Sequence, residues 1–239
     1  NTFPLEVVNL ESLTVLDLRH NHLETLPPEI AQLIGLEILH LDHNNLLFLP
    51  LELGSLYTIR ELTFAGNEVR SPPVEVLDRG TSSILEYLKR MQDGRKTQRL
   101  DLRNLELRRM PVEVAFMTGL TSLSLSSNHL QKLFVGIGQL SFLTEMFLDY
   151  NELASIPRSV SFLTNLTVLS LSHNKIRRIE EWLHPHMPLV RLNLCDNAMK
   201  ELHPILLRFS LLQELDISMN PLDDPPHEIN SQGKKKIFQ

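Results

Sequence analysis

Residues 13–23 of this 239-residue chain read LTVLDLRHNHL, and residues 36–46 read LEILHLDHNNL. Both fit the pattern L-x-x-L-x-L-x-x-N-x-L, whose positions we number 1 to 11. Copies start 23 residues apart, at residues 13, 36 and 59, and again at 120, 143, 166, 189 and 212. Self-similarity with a period of about 20 to 50 residues is typical of solenoids, and eight copies in register exclude chance.

The pattern also predicts the local structure of each copy. Apolar residues at positions 4 and 6 alternate with residues that face outward, as in a short strand. One such coil cannot bury its apolar face alone, so coils stack and pair their strands in parallel. The asparagine at position 9 can donate to and accept from backbone where the strand ends. We therefore predict an α/β solenoid with short parallel strands on one face and 3-10 or short helical turns on the other.

Composition limits the classes of function. The chain has 42% hydrophobic residues and a formal net charge of −6, which argues against a general nucleic-acid binder. No apolar run is long enough for a membrane span. The single cysteine, Cys195, excludes a fold held by disulfides and favours a reducing compartment, so we predict a cytoplasmic location.

The second half of each copy identifies a family resemblance. Residues 26–33 follow an L-P-x-x-I-x-x-L pattern, as do residues 49–56 and 156–163. These features resemble the leucine-rich repeat family, and the 23-residue length is similar to the cytosolic arrays of Ras-pathway scaffolds and Roco proteins. The resemblance implies a curved right-handed coil whose strands line a concave, partner-binding face.

The regular spacing breaks once, between residues 59 and 97, where the step is 38 residues. Within this stretch, Ser83 and Glu86 fit a capping box and Gly94 offers a C-terminal stop, which predicts a helix over residues 82–92. Three apolar residues share one face of that helix: Ile84, Leu88 and Met91. In the copy that follows the break, Leu105 stands where the pattern has asparagine.

The break divides the chain into predicted domains. Residues 1–75 form a first array that starts within a repeat, residues 76–97 a helical insert or internal cap, and residues 98–239 a second array. Residues 67–76 align without gaps on residues 220–229, so we expect a second cap helix that the chain's end truncates. We also expect the sequence to be a fragment of a longer protein.

The candidate site lies on the outward strand positions in the middle of the second array. Phe147 and Tyr150 stand there among serines, a composition common at binding hot spots. The alternative is that an isolated surface aromatic has no role, since apolar atoms supply over half of most protein surfaces. The predicted partner-binding residues are Phe147, Tyr150, Asp149, Glu145, Ser124, Ser126, Ser170, Ser172, His173, Arg103 and Arg191.

Other chemistry-bearing residues support no catalytic, cofactor or metal site. His20 and His43 fall on adjacent strands, but neither cysteine nor carboxylate completes a metal set at a recognised spacing. Charges at Arg19 and Asp42, and at residues 99–103, either steer a partner or form links between neighbouring strands. Cys195 has no base arranged with it for nucleophilic catalysis.

These observations predict a non-enzymatic intracellular scaffold or adaptor that binds a protein on the concave face. The family resemblance suggests a small GTPase, kinase or phosphatase as partner, by analogy. The alternative is the regulatory arm of a larger enzyme of the Roco GTPase or kinase type, whose catalytic domain is absent here. An extracellular receptor is disfavoured by the missing cysteine caps, and nucleic acid by the charge. We expect no cofactor and no small-molecule ligand.

Overall fold

The computed structural model describes residues 3–179 and 183–223. It divides into two compact units, unit 1 (Asn1–Lys96) and unit 2 (Thr97–Gln239). The helical segment predicted as a separate insert therefore groups with unit 1. The predicted cap helix at the end of the chain lies outside the described residues. Among those residues, no helix is both long and apolar enough to cross a membrane.

Unit 1 contains a sheet of three parallel strands in the order of the chain. These are β1 (Val15–Asp17), β2 (Ile38–His40) and β3 (Glu61–Thr63). Val15 pairs with Ile38, which in turn pairs with Glu61, so each step is one 23-residue repeat. The register read from the sequence is confirmed.

Unit 2 contains a sheet of six parallel strands, again in chain order. They are β4 (Arg99–Asp101), β5 (Ser122–Ser124), β6 (Glu145–Phe147), β7 (Val168–Ser170), β8 (Arg191–Asn193) and β9 (Glu214–Asp216). Every pairing joins residues 23 positions apart. Each strand has three residues, with position 4 of the repeat at its centre.

The return path of most coils is a five-residue 3-10 turn, as predicted. The turns are Leu5–Asn9, Pro28–Gln32, Leu51–Ser55, Val112–Phe116, Val135–Gln139, Arg158–Phe162 and Pro204–Arg208. Proline precedes several of them in an extended conformation, because its fixed φ and missing N–H suit the entry to a helical turn.

The core consists of stacked apolar residues from successive coils. At positions 4 and 6 of the second coil, Leu39 and Leu41 are completely buried, as are Leu123 and Leu125 in unit 2. A fully buried leucine contributes about 1.5–3 kcal/mol relative to an exposed one. Because every coil adds such residues, the core is continuous within each unit. The outward-facing residues of the sheet are not part of this core.

The asparagines at position 9 link each coil to the one before it. The side-chain oxygen of Asn151 accepts from the N–H of Leu130, and its amide nitrogen donates to the carbonyls of Leu125 and Leu148, at 3.0 Å in each case. The same three bonds recur at Asn44, Asn67, Asn128, Asn174, Asn197 and Asn220.

This geometry explains why Leu105 is tolerated in place of asparagine. An asparagine at position 9 bonds mainly to the preceding coil, and the coil of Leu105 is the first of unit 2. Asn128 of the next coil accepts from the N–H groups of both Leu105 and Leu107, at 3.1 and 3.0 Å. Leu105 itself is buried in the core.

The helical segment differs from its prediction in length and start. A short helix, α1 (Val74–Leu77), precedes a long helix, α2 (Thr81–Thr97). The predicted limits of 82–92 were wrong, because Gly94 is buried within α2 instead of ending it. Ser83 lies inside the first turn, so the expected capping box is also wrong, and α2 begins after Gly80, whose φ is +86°. Ile84, Leu88 and Met91 are buried, which confirms the predicted apolar face.

Helix α2 packs on the last coil of unit 1. A methyl group added to Gly54 would lie 2.3 Å from the backbone nitrogen of Lys89, so the helix approaches where glycine has no side chain. Ser55 donates to the side chain of Gln92 at 2.9 Å, and the N–H of Leu62 donates to the hydroxyl of Thr81 at 3.1 Å. The helix therefore covers the end of this coil, as an internal cap does.

Candidate functional site

We define the open sheet face as the residues at positions 3, 5, 7 and 8 of each coil. On this face of unit 2, strands β4 to β6 surround a pocket of about 530 Å³. It is lined by Arg99, Leu100, Asp101, Arg103, Asn104, Ser122, Ser124, Ser126, Ser127, Phe147, Asp149 and Tyr150. Six of the eleven residues predicted as partner-binding therefore line this pocket: Phe147, Tyr150, Asp149, Ser124, Ser126 and Arg103.

The pocket exists because the middle of these three coils carries only serines at its outward positions. Longer side chains rise on both sides of that coil. Arg99 of β4 reaches across it to Glu145 of β6, with 2.9 Å between guanidinium and carboxylate. Ser122 is buried beneath that ion pair. The hydroxyl of Ser124 has no hydrogen-bond partner among the described residues.

Asp149 organises the hydroxyl groups beside the pocket. Its Oδ1 accepts from the backbone N–H of Ser172 at 2.9 Å and from the hydroxyls of Ser172 and Ser170 at 2.6 and 2.5 Å. Among the residues that the structure describes, its Oδ2 accepts one long bond, 3.4 Å from the hydroxyl of Ser126. One carboxylate oxygen is thus saturated and the other retains accepting capacity.

Residues at position 8 form a second row along the edge of the open sheet face. Tyr150 stacks on His173, and His173 Nδ1 lies 2.6 Å from Asp196 Oδ2. All three have φ between 51° and 55°, in the left-handed region that non-glycine residues seldom occupy. The common backbone conformation places these side chains over one another, so the aromatic ring of Tyr150 is held at a fixed angle.

Several predicted features of the site are corrected by the structure. Phe147 is half-buried, and Ser126 and Ser172 are buried, so these outward positions are less exposed than their place on the strand face suggests. Their burial follows from the hydrogen bonds that draw both serines to Asp149. Tyr150 is 57% exposed and presents most of the accessible aromatic surface.

The remaining predicted residues do not line the pocket. Ser170 and His173 are on the next coil and contact the site through Asp149 and Tyr150. Arg191 lies two coils beyond β6 and pairs with Glu214 at 3.3 Å. It belongs to the same sheet face, at a distance from the pocket.

Two charged pairs form within one coil instead of between neighbouring strands as expected, whereas Arg99–Glu145 and Arg191–Glu214 join different coils. Arg19 forms a two-pronged pair with Asp17 of its own strand, at 2.6–3.1 Å, and Arg103 pairs in the same way with Asp101. The expected link between Arg19 and Asp42 on the neighbouring coil is therefore wrong. Hydrogen bonds from the Arg19 side chain, and then from its N–H, lower the pKa of Asp17 to about 2.

The histidines of unit 1 stack without forming a metal centre. His20 and His43 lie 4.6 Å apart between ring centroids. A methyl group on Gly66, the next residue of that row, would lie 2.5 Å from the His43 ring. Within the part of the chain that the structure describes, no three histidine, cysteine or acidic residues are grouped to hold a metal ion. Cys195 is half-buried, and its sulfur lies 3.2 Å from the hydroxyl of Ser218.

Sequence reasoning missed a row of threonines parallel to the asparagines. The hydroxyls of Thr121, Thr144 and Thr167 each donate to the backbone carbonyl of the residue 23 positions earlier, at 2.9–3.1 Å. The signal was available, because position 2 of three successive copies is threonine. These bonds hold β5, β6 and β7 in register beneath the candidate site.

Comparisons with known proteins agree with this architecture. Two family models match, one described as Leucine Rich Repeat over residues 12–33 and one as Leucine Rich repeat over residues 162–177. A leucine-rich repeat protein of Leptospira interrogans is similar over 93% of this chain and 53% of its own, with 32% identity and a TM-score of 0.56. The chain thus spans about half the length of that protein.

A second solved structure shows the same fold. An internalin (InlF) of Listeria monocytogenes is similar over 95% of this chain and 66% of its own, with 20% identity and a TM-score of 0.51. At that identity the likeness concerns the fold alone. Comparison with curated protein sequences gave no significant match.

Proposed function

We propose that this chain, whose repeats and fold are those of leucine-rich repeat proteins, is a protein-binding module whose recognition site is the pocket on the open sheet face of unit 2. The single observation that carries this proposal is the convergence of Phe147, Tyr150 and Asp149 on one concave pocket. An aromatic ring, a carboxylate oxygen and hydroxyl groups lie together there above a rigid, buried core. Such a combination supplies both contact area and directional hydrogen bonds.

Rigidity of the site supports binding over chemistry. Phe147 belongs to a strand that pairs on both sides, and Tyr150 is fixed by its stack on His173. Rigid aromatic side chains lose little conformational entropy when a partner binds. The family's repeats are generally non-catalytic, which agrees with this role.

The finer parts of the proposal are an intracellular location and a signalling partner. We propose a scaffold or adaptor in the cytoplasm that binds a small GTPase, a kinase or a phosphatase. The support is the 23-residue repeat, which resembles cytosolic arrays, and the single cysteine. The alternative, a regulatory arm of a larger enzyme, uses the same face against a catalytic domain of its own chain.

The experiment is affinity capture from cell extract with identification of the captured proteins by mass spectrometry. The test variant is Phe147→Ala/Tyr150→Ala. The matched control is Phe116→Ala/Phe142→Ala, which removes two aromatic side chains that are exposed outside the open sheet face, by 76% and 62%. Circular dichroism first confirms that all three proteins are folded.

The expected result is a partner that the unchanged and control proteins capture and the test variant loses. The purified partner should then bind the unchanged and control proteins with similar affinity and the test variant more weakly. If the test variant captures the same partners with the same affinity, the pocket is not the recognition site and the proposal fails.

A further inference from the structure

Charge is unevenly distributed over the surface of unit 2. On its open sheet face, six carboxylates stand against three guanidinium groups. The carboxylates are Asp101, Glu145, Asp149, Asp196, Glu214 and Asp216, and the guanidinium groups are Arg99, Arg103 and Arg191. Most of the excess lies between β6 and β9, where Arg191 is the only cation among five carboxylates.

The flank of unit 2 that follows the asparagine row has the opposite sign. We define this flank as the two residues after position 11 in the five coils of β4 to β8. Its charged members are Arg108, Arg109, Lys132, Arg177, Arg178, Lys200 and Glu201, all exposed, and the coil of β9 adds the exposed Asp223 at the same place. Acidic and basic residues are therefore segregated to different sides of the same unit, although they alternate along the sequence.

The pocket itself offers groups that suit a cation. The ring of Tyr150 is exposed, and aromatic faces attract guanidinium and ammonium groups within about 6 Å of the ring centre. Asp149 lines the same pocket, and its Oδ2 accepts one bond of 3.4 Å from Ser126, so this oxygen can accept a charge-assisted hydrogen bond. Arg99 and Arg103 also line the pocket, but Glu145 pairs with the first at 2.9 Å and Asp101 with the second at 2.7 Å, so the charge that remains in the lining is that of Asp149.

We propose that the open sheet face of unit 2 binds a basic, extended segment of a partner protein. One arginine of that segment enters the pocket, stacks on Tyr150 and donates to Oδ2 of Asp149, and a further cation lies along β9 beside Asp216. The inference rests on the proposed function and adds the chemistry of the partner. Complementary charge of this kind selects partners and speeds association more than it adds affinity.

The probes are three labelled peptides of equal length in which serine alternates with arginine, with glutamate or with threonine. Binding to the whole protein is followed by fluorescence anisotropy at low and at physiological ionic strength. We expect the arginine peptide to bind and the other two not to bind. Its affinity should fall as salt rises, because the Debye length shortens to about 8 Å at 0.15 M.

Two charge-reversal variants distinguish binding at the open sheet face from unspecific attraction to the charge of the whole protein. Glu214→Lys changes the net charge of the face, and Glu201→Lys makes the same change on the flank. We expect Glu214→Lys to weaken arginine-peptide binding about tenfold and Glu201→Lys to leave it within about twofold, since screened charges act locally. Asp149→Asn, which keeps the Oδ1 acceptor, should also weaken it about tenfold.

The outcomes distinguish this inference from the proposed function. Equal weakening by the two reversals, tight binding of the glutamate or threonine peptide, or no binding of the arginine peptide at about 1 mM overturns the inference. The proposed function stands in those cases if Phe147→Ala/Tyr150→Ala still loses its captured partner. If Phe147→Ala/Tyr150→Ala captures the same partner as the unchanged protein, the proposed function is overturned as well.

Discussion

Tyr150 stacks on His173 with 4.1 Å between ring centroids and 11° between ring planes, although the two residues are 23 positions apart in the sequence. His173 is held from its other side by Asp196, so the row joins three successive coils. The stack connects the exposed aromatic of the candidate site to the body of unit 2. It explains how a residue at the edge of the sheet keeps one orientation.

Tyr150→Ala should therefore lower the free energy of unfolding of unit 2 by about 0.5–1.5 kcal/mol, the range for an aromatic pair. In a double-mutant cycle with His173→Ala, the two effects should not add, because each change removes the same contact. Chemical denaturation measures both. Tyr57→Ala, at a tyrosine that is 88% exposed, is the control and should change stability by less than about 0.5 kcal/mol. Strict additivity in the cycle would contradict the stack.

Asn151→Ala removes a buried side chain that bonds two coils together. The N–H of Leu130 and the carbonyls of Leu125 and Leu148 then lose a partner. Because buried unsatisfied groups are destabilising by about 1–3 kcal/mol each before relaxation, we expect a loss of about 2–4 kcal/mol in the free energy of unfolding. Asn165→Ala breaks one exposed bond, to the carbonyl of Ser141, and should lose less than about 1 kcal/mol. Similar losses for the two variants would show that the buried row is not structurally special.

Gly54→Ala tests the contact between helix α2 and the coil beneath it. The added methyl group meets the backbone of Leu88 and Lys89 at 2.3–2.8 Å, so the helix has to move. We expect a loss of about 1–3 kcal/mol, as for overpacked cores, and faster hydrogen exchange in α2. Gly119→Ala is the control, since nothing lies within 4 Å of its added methyl group. Unchanged exchange in α2 after Gly54→Ala would contradict the packing.

The pair of Asp17 and Arg19 predicts a pH-dependent signal. Hydrogen bonds from Arg19 lower the pKa of Asp17 from 3.8 to about 2. A lowered folded pKa means that the stabilisation is present above the unfolded value near 3.8 and is lost as pH falls through about 2. Carboxyl NMR titration should report this value, and Arg19→Ala should return the pKa of Asp17 toward 3.8. A pKa near 3.8 in the unchanged protein would show that the pair does not form in solution.

The repeat itself was predictable because its physics is local and periodic. Alternating leucines such as Leu39 and Leu41 can be buried only by stacking on identical coils, so spacing alone determined the strands, their register and the asparagine row. The place of the candidate site was predicted for the same reason. Position 5 faces outward in every coil, and that put Phe147 on the open sheet face.

Properties that depend on contacts between coils could not be read from spacing. The sequence shows Asp149 and Ser172 as two outward polar residues, yet in the structure they are hydrogen-bonded at 2.6 Å and the serine is buried. Glycine is common where helices end, but α2 continues through the buried Gly94 because packing within unit 1 outweighs the low helix propensity of glycine. The sequence by itself therefore determined which residues point inward, because the 23-residue repeat and the alternation along each strand follow from backbone geometry alone. Only the tertiary structure decided which outward side chains bond to one another. Each of them has several possible hydrogen-bond partners on its own coil and on the neighbouring coils, and the spacing does not select among them.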